Sequence, residues 1–417
     1  MSFYCPFGKE KGVNLSENVN PSEPLGRNFK FMILNSGIAR TATAAFAIAI
    51  VWITLELTGS PIISGFADSM VSLPLFLSFV FGAYIDKMSA KKNLAIISSL
   101  VRAAAMFLLF IPLIFDSQII RIMAIFSVSF IMGMTSDILN SIRSVWMKQF
   151  LVETTYKKGS SLFESMTTMA QAAGYGISGV LLILGFHSTI YVLALIFTAS
   201  TFPLVTIKDR RDIPINEEKT IKDSISSGLK YIRNSASLKS IIVITLFLNL
   251  AFGSVSIFFA YLVDYTLRLP ATFYGFLFLI ITAGIIAGSV WGSKVKGKIG
   301  FYNAILLSTL GLLLISMGLV PLIYIDFVIV FFMGLMIGIV NVITQTGFLR
   351  VIDKDMVARV MGAFSTFGLG ITFLSGGIGG VLIHFITLKW SFALIGVIIA
   401  IVAIISISFR EYYNISV

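Results

Sequence analysis

Four ionisable side chains stand inside long apolar stretches of this 417-residue chain: Arg40, Asp68, Arg102 and Asp137. A charge placed in hydrocarbon costs about 2.5–3.5 kcal/mol on insertion scales, so such residues face a cavity or a partner and mark ion or substrate paths. Arg40 lies ten residues beyond Lys30, Arg102 ten beyond Lys92, and Asp137 eleven before Lys148. At about 1.5 Å of rise per helical residue the three share one depth. Pairing of Asp137 with Arg102 or Arg40 would offset much of the desolvation. A pair that breaks and re-forms would serve as a switch between states; a permanent pair would only hold helices together. Asp68 has no Lys or Arg at matching depth, and a lone carboxyl suits the binding and release of a coupling proton. Its alternative role is to line a wet outer vestibule. The four residues are therefore the coupling candidates.

The second half of the chain offers neutral groups at depth instead: Asn249, Asn341, Thr344 and Gln345. Amides and hydroxyls can bind a substrate without a buried charge, or bridge helices; both uses fit. They are the substrate-cavity candidates.

Other chemistries are excluded or lack support. The one cysteine, Cys5, rules out an internal disulfide framework and a thiolate metal site. His187 and His384, the two histidines, fall in no metal-ligand spacing. No G-x-x-x-x-G-K-[ST] run is present to cradle phosphates, so nucleotide hydrolysis is not expected. The expectation is a non-enzyme without cofactor or metal. The net charge of +11 does not imply a nucleic-acid partner, because the basic residues are scattered through short segments rather than gathered in an arm or face.

Helices crossing a membrane must position these residues. The chain is 57% hydrophobic and 12% charged, against about 25% charged in a soluble domain, so its polar surface is too small to cover a soluble globule. Twelve apolar spans can be drawn: 30–57, 61–85, 93–115, 119–144, 160–185 and 188–207, then 238–266, 271–293, 299–321, 325–350, 359–385 and 388–409. Each is long enough to cross about 30 Å of hydrocarbon. With the N-terminus inside, the cytoplasmic segments hold 26 of the 31 Lys and Arg, the external segments three, and Arg40 and Arg102 fall within helices. That bias predicts an even number of spans with both termini cytoplasmic, in the plasma membrane.

The expected organisation is a disordered tail over 1–27, a six-helix bundle over 28–207, a linker over 208–237, a second six-helix bundle over 238–410 and a tail over 411–417. No cleavable leader is expected at the start. Within the linker, Ile221, Ile225, Leu229 and Ile232 recur at helical spacing among Lys222, Asp223, Lys230 and Arg233. That pattern predicts an amphipathic helix on the membrane surface, or a solvated linker helix.

The segment Gly82-Ala83-Tyr84-Ile85-Asp86-Lys87-Met88-Ser89-Ala90-Lys91-Lys92 resembles the helix 2–3 loop motif of the major facilitator superfamily, G-x-x-x-D-[RK]-x-G-x-[RK]-[RK], with Ser89 at its second glycine. The resemblance implies an all-α fold of two six-helix bundles, with Gly82, Asp86, Lys87, Lys91 and Lys92 locking the outward-facing state. Gly292-Ser293-Lys294-Val295-Lys296-Gly297-Lys298 occupies the matching place in the second half without the acid. Glu56-Leu57-Thr58-Gly59-Ser60-Pro61, Gly65, Pro74, Arg102, Gly228-Leu229-Lys230-Tyr231-Ile232, Tyr274-Gly275 and Ala358-Arg359-Val360-Met361 are similar to the branch of enterobactin and macrolide exporters.

Helix 5 carries Gly174-Tyr175-Gly176-Ile177-Ser178-Gly179, which looks like the exporters' G-P-x-x-G-G element with Tyr175 at the proline. Gly174, Gly176 and Gly179 are expected to let helix 5 approach the other half, or to serve ordinary small-residue packing. A parallel run, Gly376-Gly377-Ile378-Gly379-Gly380, lies in helix 11.

What the resemblance implies is a monomeric secondary transporter, with proton-coupled export of hydrophobic or amphipathic drug-like or siderophore-like molecules by alternating access. Its partners would be the small-molecule substrate, the coupling proton and membrane lipid. A lipid or lysolipid flippase of the same superfamily is the alternative, and a non-transporting receptor or scaffold the alternative of another class.

Overall fold

The computed structural model describes residues 25–76, 91–151, 153–208, 229–320, 322–353 and 370–415, with the isolated positions 356, 360 and 364. The long apolar runs form helices throughout: α1 (Arg27–Thr58), α2 (Pro61–Phe76), α3 (Lys91–Ile114), α4 (Gln118–Phe150) and α5 (Glu153–Ile183). They continue as α6 (Phe186–Thr206), α7 (Ala236–Thr266), α8 (Ala271–Gly292), α9 (Ile299–Leu319) and α10 (Ile323–Val351). A last helical stretch, Phe373–Ser408, breaks at Thr387, whose φ of 69° and ψ of 158° lie outside the helical region. The break divides it into α11, residues 373–386, and α12, residues 388–408. A short α13 (Arg410–Tyr413) follows. The architecture is all-α and agrees with the twelve expected spans.

Two departures from the expected boundaries matter. α4 runs on to Phe150 and α5 starts at Glu153, so both extend well past the apolar runs on the side where the chain begins and ends. The chain's end is also not a free tail. Tyr412 is buried, Asn303 Nδ2 donates to its hydroxyl, and Ile299 N–H donates to Ile415 O at 2.9 Å. Of the predicted linker helix, 221–228 lie outside the described residues; 229–234 are helical. Ile232 is buried in the second bundle's core, and Tyr231 donates to Asp353 Oδ2 at 2.9 Å.

The apolar cores show how the bundles meet. Away from the termini, one continuous core joins them: Trp52, Ala67 and Leu181 share it with Ile257, Tyr274 and Leu277. On the terminal side there are two. Phe29, Met32, Leu139, Trp146 and Leu204 form one within the first bundle, and Leu238, Ile241, Ile299 and Phe348 form another within the second. Among the described residues the cores are thus joined on the far side and separate on the terminal side, and the region between the two terminal-side cores is the cleft.

Two seams hold the fused half. On the α2–α11 seam, a Cβ on Gly65 would strike Gly376 O, one on Gly376 would strike Gly65 O, and one on Gly380 would strike Pro61 O. Gly377 N–H donates to Ser69 Oγ at 2.9 Å across it. On the α5–α8 seam, a Cβ on Gly275 would lie 2.8 Å from Gly179 N, and one on Gly179 would lie 2.9 Å from Thr272 Cα. Real Cβ atoms do not approach so closely, so both seams require glycine for backbone contact. Of the three glycines expected to face the other half, Gly179 and Gly176, which looks onto Leu279, do so; Gly174 instead packs on Thr41 and Ala44 of α1 in its own bundle.

Candidate functional site: a polar apex where the cleft meets the seal

α1 packs against α2, α4, α5, α6, α7 and α8, while Leu34 in its terminal-side half is exposed. Arg40 sits half-buried near its middle. Its Nε and Nη2 both donate to Gln171 Oε1 of α5, at 3.2 and 2.8 Å. Gln171 Nε2 in turn donates to Tyr175 Oη at 2.6 Å. The Tyr175 ring lies 5.3 Å from Phe278 of α8, placing this chain of bonds directly under the α5–α8 seam.

Asp68 lies on the other seam. Ser256 Oγ of α7 donates to Asp68 Oδ2 at 2.9 Å, joining α2 of the first bundle to α7 of the second. Tyr274 Oη of α8 donates to Ser256 O at 3.2 Å, and the Tyr274 ring stacks on Trp52 of α1 with centroids 5.7 Å apart. Asp68 therefore does not line an open outer vestibule. It is half-buried at the bundle interface, without an ion-pair partner among the described residues.

Behind Arg40 lies the rest of the charged group. Arg102 is 2% exposed; its Nε donates to Thr135 Oγ1 at 3.0 Å and its Nη1 to Thr43 Oγ1 at 3.4 Å. The guanidinium stands over the Phe197 ring at 5.5 Å. Asp137 is within electrostatic reach of Arg102 but makes no ion pair with it or with Arg40. The expected pair is thus open in this conformation: Arg102 Nη2 and Asp137 Oδ2 are both buried without a hydrogen-bond partner.

Arg143, at the very edge of the expected span 119–144, was counted among the cytoplasmic loop charges. It lies inside α4 and is 8% exposed, with Nη2 donating to Asn35 Oδ1 at 3.2 Å and Nη1 to Asn140 Oδ1 at 3.3 Å. Asn35 passes the link to Ser200 O at 2.7 Å. Asp326, in the first turn of α10, was missed because it fell at a span boundary; it is fully buried, with neither carboxylate oxygen bonded.

The neutral candidates lie on α7 and α10. Asn303 Nδ2 donates to Thr344 Oγ1 at 2.9 Å, which turns Thr344 toward α9. Asn341 and Gln345 are exposed one turn apart on α10, and Asn249 is half-buried on α7. Gly82, Asp86 and Lys87 of the loop motif lie outside the described residues. Lys91 is buried at the start of α3, and Lys92 Nζ donates to Val205 O at 2.7 Å, tying α3 to the end of α6.

This arrangement of twelve helices, two bundles and a central cleft is found in solved structures. A nucleoside transporter, NupG, superposes with a TM-score of 0.71 at 13% identity, covering 92% of this chain and 99% of that one. A bacterial homologue of the iron transporter ferroportin, in an inward-facing state, gives 0.71 at 12%, covering 92% and 98%. A D-xylose–proton symporter gives 0.69 at 11%, covering 91% and 97%. At these identities the likeness concerns the fold. No curated protein matches the chain. Residues 32–376 match the Major Facilitator Superfamily, and the chain belongs to that family of membrane transporters.

Proposed function

We propose that this protein is a proton-coupled secondary transporter of amphipathic small molecules, working by alternating access between its two bundles. The observation that carries the reading is Asp68. It is a carboxyl without a cation, bonded to Ser256 of the opposite bundle where the seal must open for the far side to be reached. A proton on or off Asp68 changes which hydrogen bonds it can make to Ser256, and so biases the seam that alternation has to break. The half-buried Phe278, packed on Tyr175, suits substrates with a bulky apolar part. Export is the direction implied by the likeness to the enterobactin and macrolide exporters, and the cleft then opens to the cytoplasm with both termini on that side of the plasma membrane.

The test uses proteoliposomes carrying an internal pH indicator. Wild-type protein should move protons when an amphipathic substrate is added under an imposed pH gradient. The Asp68→Asn variant should bind that substrate and exchange it across the membrane, yet move no protons with it. Unchanged proton movement by the variant would remove Asp68 from coupling.

A further inference from the structure

Arg40 is more exposed than Arg102 and Arg143, and its charge reaches both of them; of the acids, Asp137 acts on Arg102 and Asp68 on Tyr175. Among the described residues Arg40 has no ion-pair partner; both its hydrogen bonds there go to one neutral oxygen, Gln171 Oε1. Beside it, the Tyr175 hydroxyl accepts from Gln171 and has no acceptor of its own among the described residues.

The space next to these donors is open. Gly37 lies one turn from Arg40 on the same face of α1, toward the terminal side, and a Cβ built on it would meet nothing within 4 Å. Leu34, one turn further toward the terminal side, is exposed as well, so the open space continues along α1 toward the termini. Buried like charges repel, and a low-dielectric wall strengthens their field on whatever enters. The residues behind the wall add unmet donors of the same sign, since Arg102 Nη2 and Arg143 Nε are buried without partners.

We propose that the gap at Gly37 is an anion subsite, and that the substrate carries a carboxylate, sulfonate or phosphate-type group bound by Arg40 with the Tyr175 hydroxyl. The inference rests on reading the cleft as the substrate path, and it deepens that reading by fixing the sign of the substrate's polar end. The apolar part of such a molecule would lie against Phe278, beside Tyr175, and its acid group would point toward the terminal side. One acid stands on the approach: Glu164 is exposed on α5, two turns nearer the mouth and on the same face as Gln171. If Glu164 governed the cleft, cations would be preferred.

The test needs no knowledge of the natural substrate. In full-length protein with Cys5→Ser and Gly37→Cys, reconstituted in nanodiscs, the new thiol is titrated with two thiosulfonate reagents, an anionic sulfonatoethyl one and a cationic trimethylammonioethyl one. Rates are referred to a free thiol in solution. A cleft lined by one sign of charge concentrates the opposite sign by about tenfold or more. The anionic reagent should therefore gain about tenfold over the cationic one, and adding Arg40→Gln should erase most of that gain while the protein remains monodisperse. Protection of the thiol by 2-naphthylacetate, but not by 2-naphthylethylammonium, is the second expected result. Faster reaction with the cationic reagent, a ratio equal to that of the free thiol, or a thiol that reacts with neither reagent would each overturn the proposal. These rates do not depend on proton movement, so coupling by Asp68 can stand or fall separately.

Discussion

The two bundles share a fold and differ in what they keep inside. The first buries Arg40, Arg102 and Arg143 with Asp68 and Asp137. In the second, Asp326 apart, the buried polar contacts seen among the described residues are neutral: Asn303 with Thr344 and Tyr412, and Ser254 Oγ donating to Ser375 O at 2.8 Å. Neutral hydrogen bonds fasten helices without sensing charge. A cluster of formal charges with unmet donors responds to whatever ion enters beside it. On the proposed reading the difference gives sensing to the first bundle and scaffolding to the second, with the glycine seams as the surfaces on which the two would part.

That division can be broken at several points. The largest effect is expected at the seams. A Gly275→Val change would push a side chain into Gly179 and the Tyr175 carbonyl. Overpacking of about 1–3 kcal/mol would shift the balance away from the sealed far side by about tenfold to a hundredfold, read as a matching fall in transport rate. Next comes Gly65→Ala on the other seam, whose added methyl strikes Gly376 O; transport should fall by about tenfold, since a single methyl calls for the smaller shift. Equal activity of either variant with wild type would mean the seams do not open.

Asn303→Leu probes the scaffolding bundle. It strands the buried Tyr412 hydroxyl and should lower stability by about 1–3 kcal/mol, seen as a fall in melting temperature in detergent, while the affinity for anionic probes at the first bundle is kept. A loss of anion binding without a loss of stability would contradict the division. The smallest effect is expected for Tyr231→Phe, which removes an exposed bond to Asp353 with a net value of about 0.5–1.5 kcal/mol, and leaves transport intact.

Much of this was legible in the sequence, for definite reasons. Apolar runs and loop charges locate spans because hydrocarbon thickness and insertion impose them, and the twelve helices follow. Helix ends outside the apolar runs carry no such signal, and Arg143, at the edge of the run 119–144, counted as a loop charge although α4 continues to Phe150. Asp68 was visible as a lone intramembrane acid. Its partner was not, because Ser256 lies 188 residues away and a serine in an apolar helix is unremarkable by itself. Gly174 and Gly179 look alike in sequence, yet one meets α1 and the other α8, since five residues of helix turn them to different faces. Arg102 and Asp137 share a depth, as their spacing predicted, but depth does not determine whether two side chains are turned toward each other.

Alternation about the α5–α8 seam is the central claim, and a pair of distances tests it most directly. Spin labels at Lys158 and Lys294, on the terminal ends of α5 and α8, and at Leu184 and Arg268, at or just beyond their far ends, report the two sides of the cleft. When an anionic amphiphile and a pH gradient are supplied in proteoliposomes, the terminal-side distance should shorten and the far-side distance should lengthen. Distances that stay fixed on both sides while substrate crosses, or that change in the same sense, would contradict it.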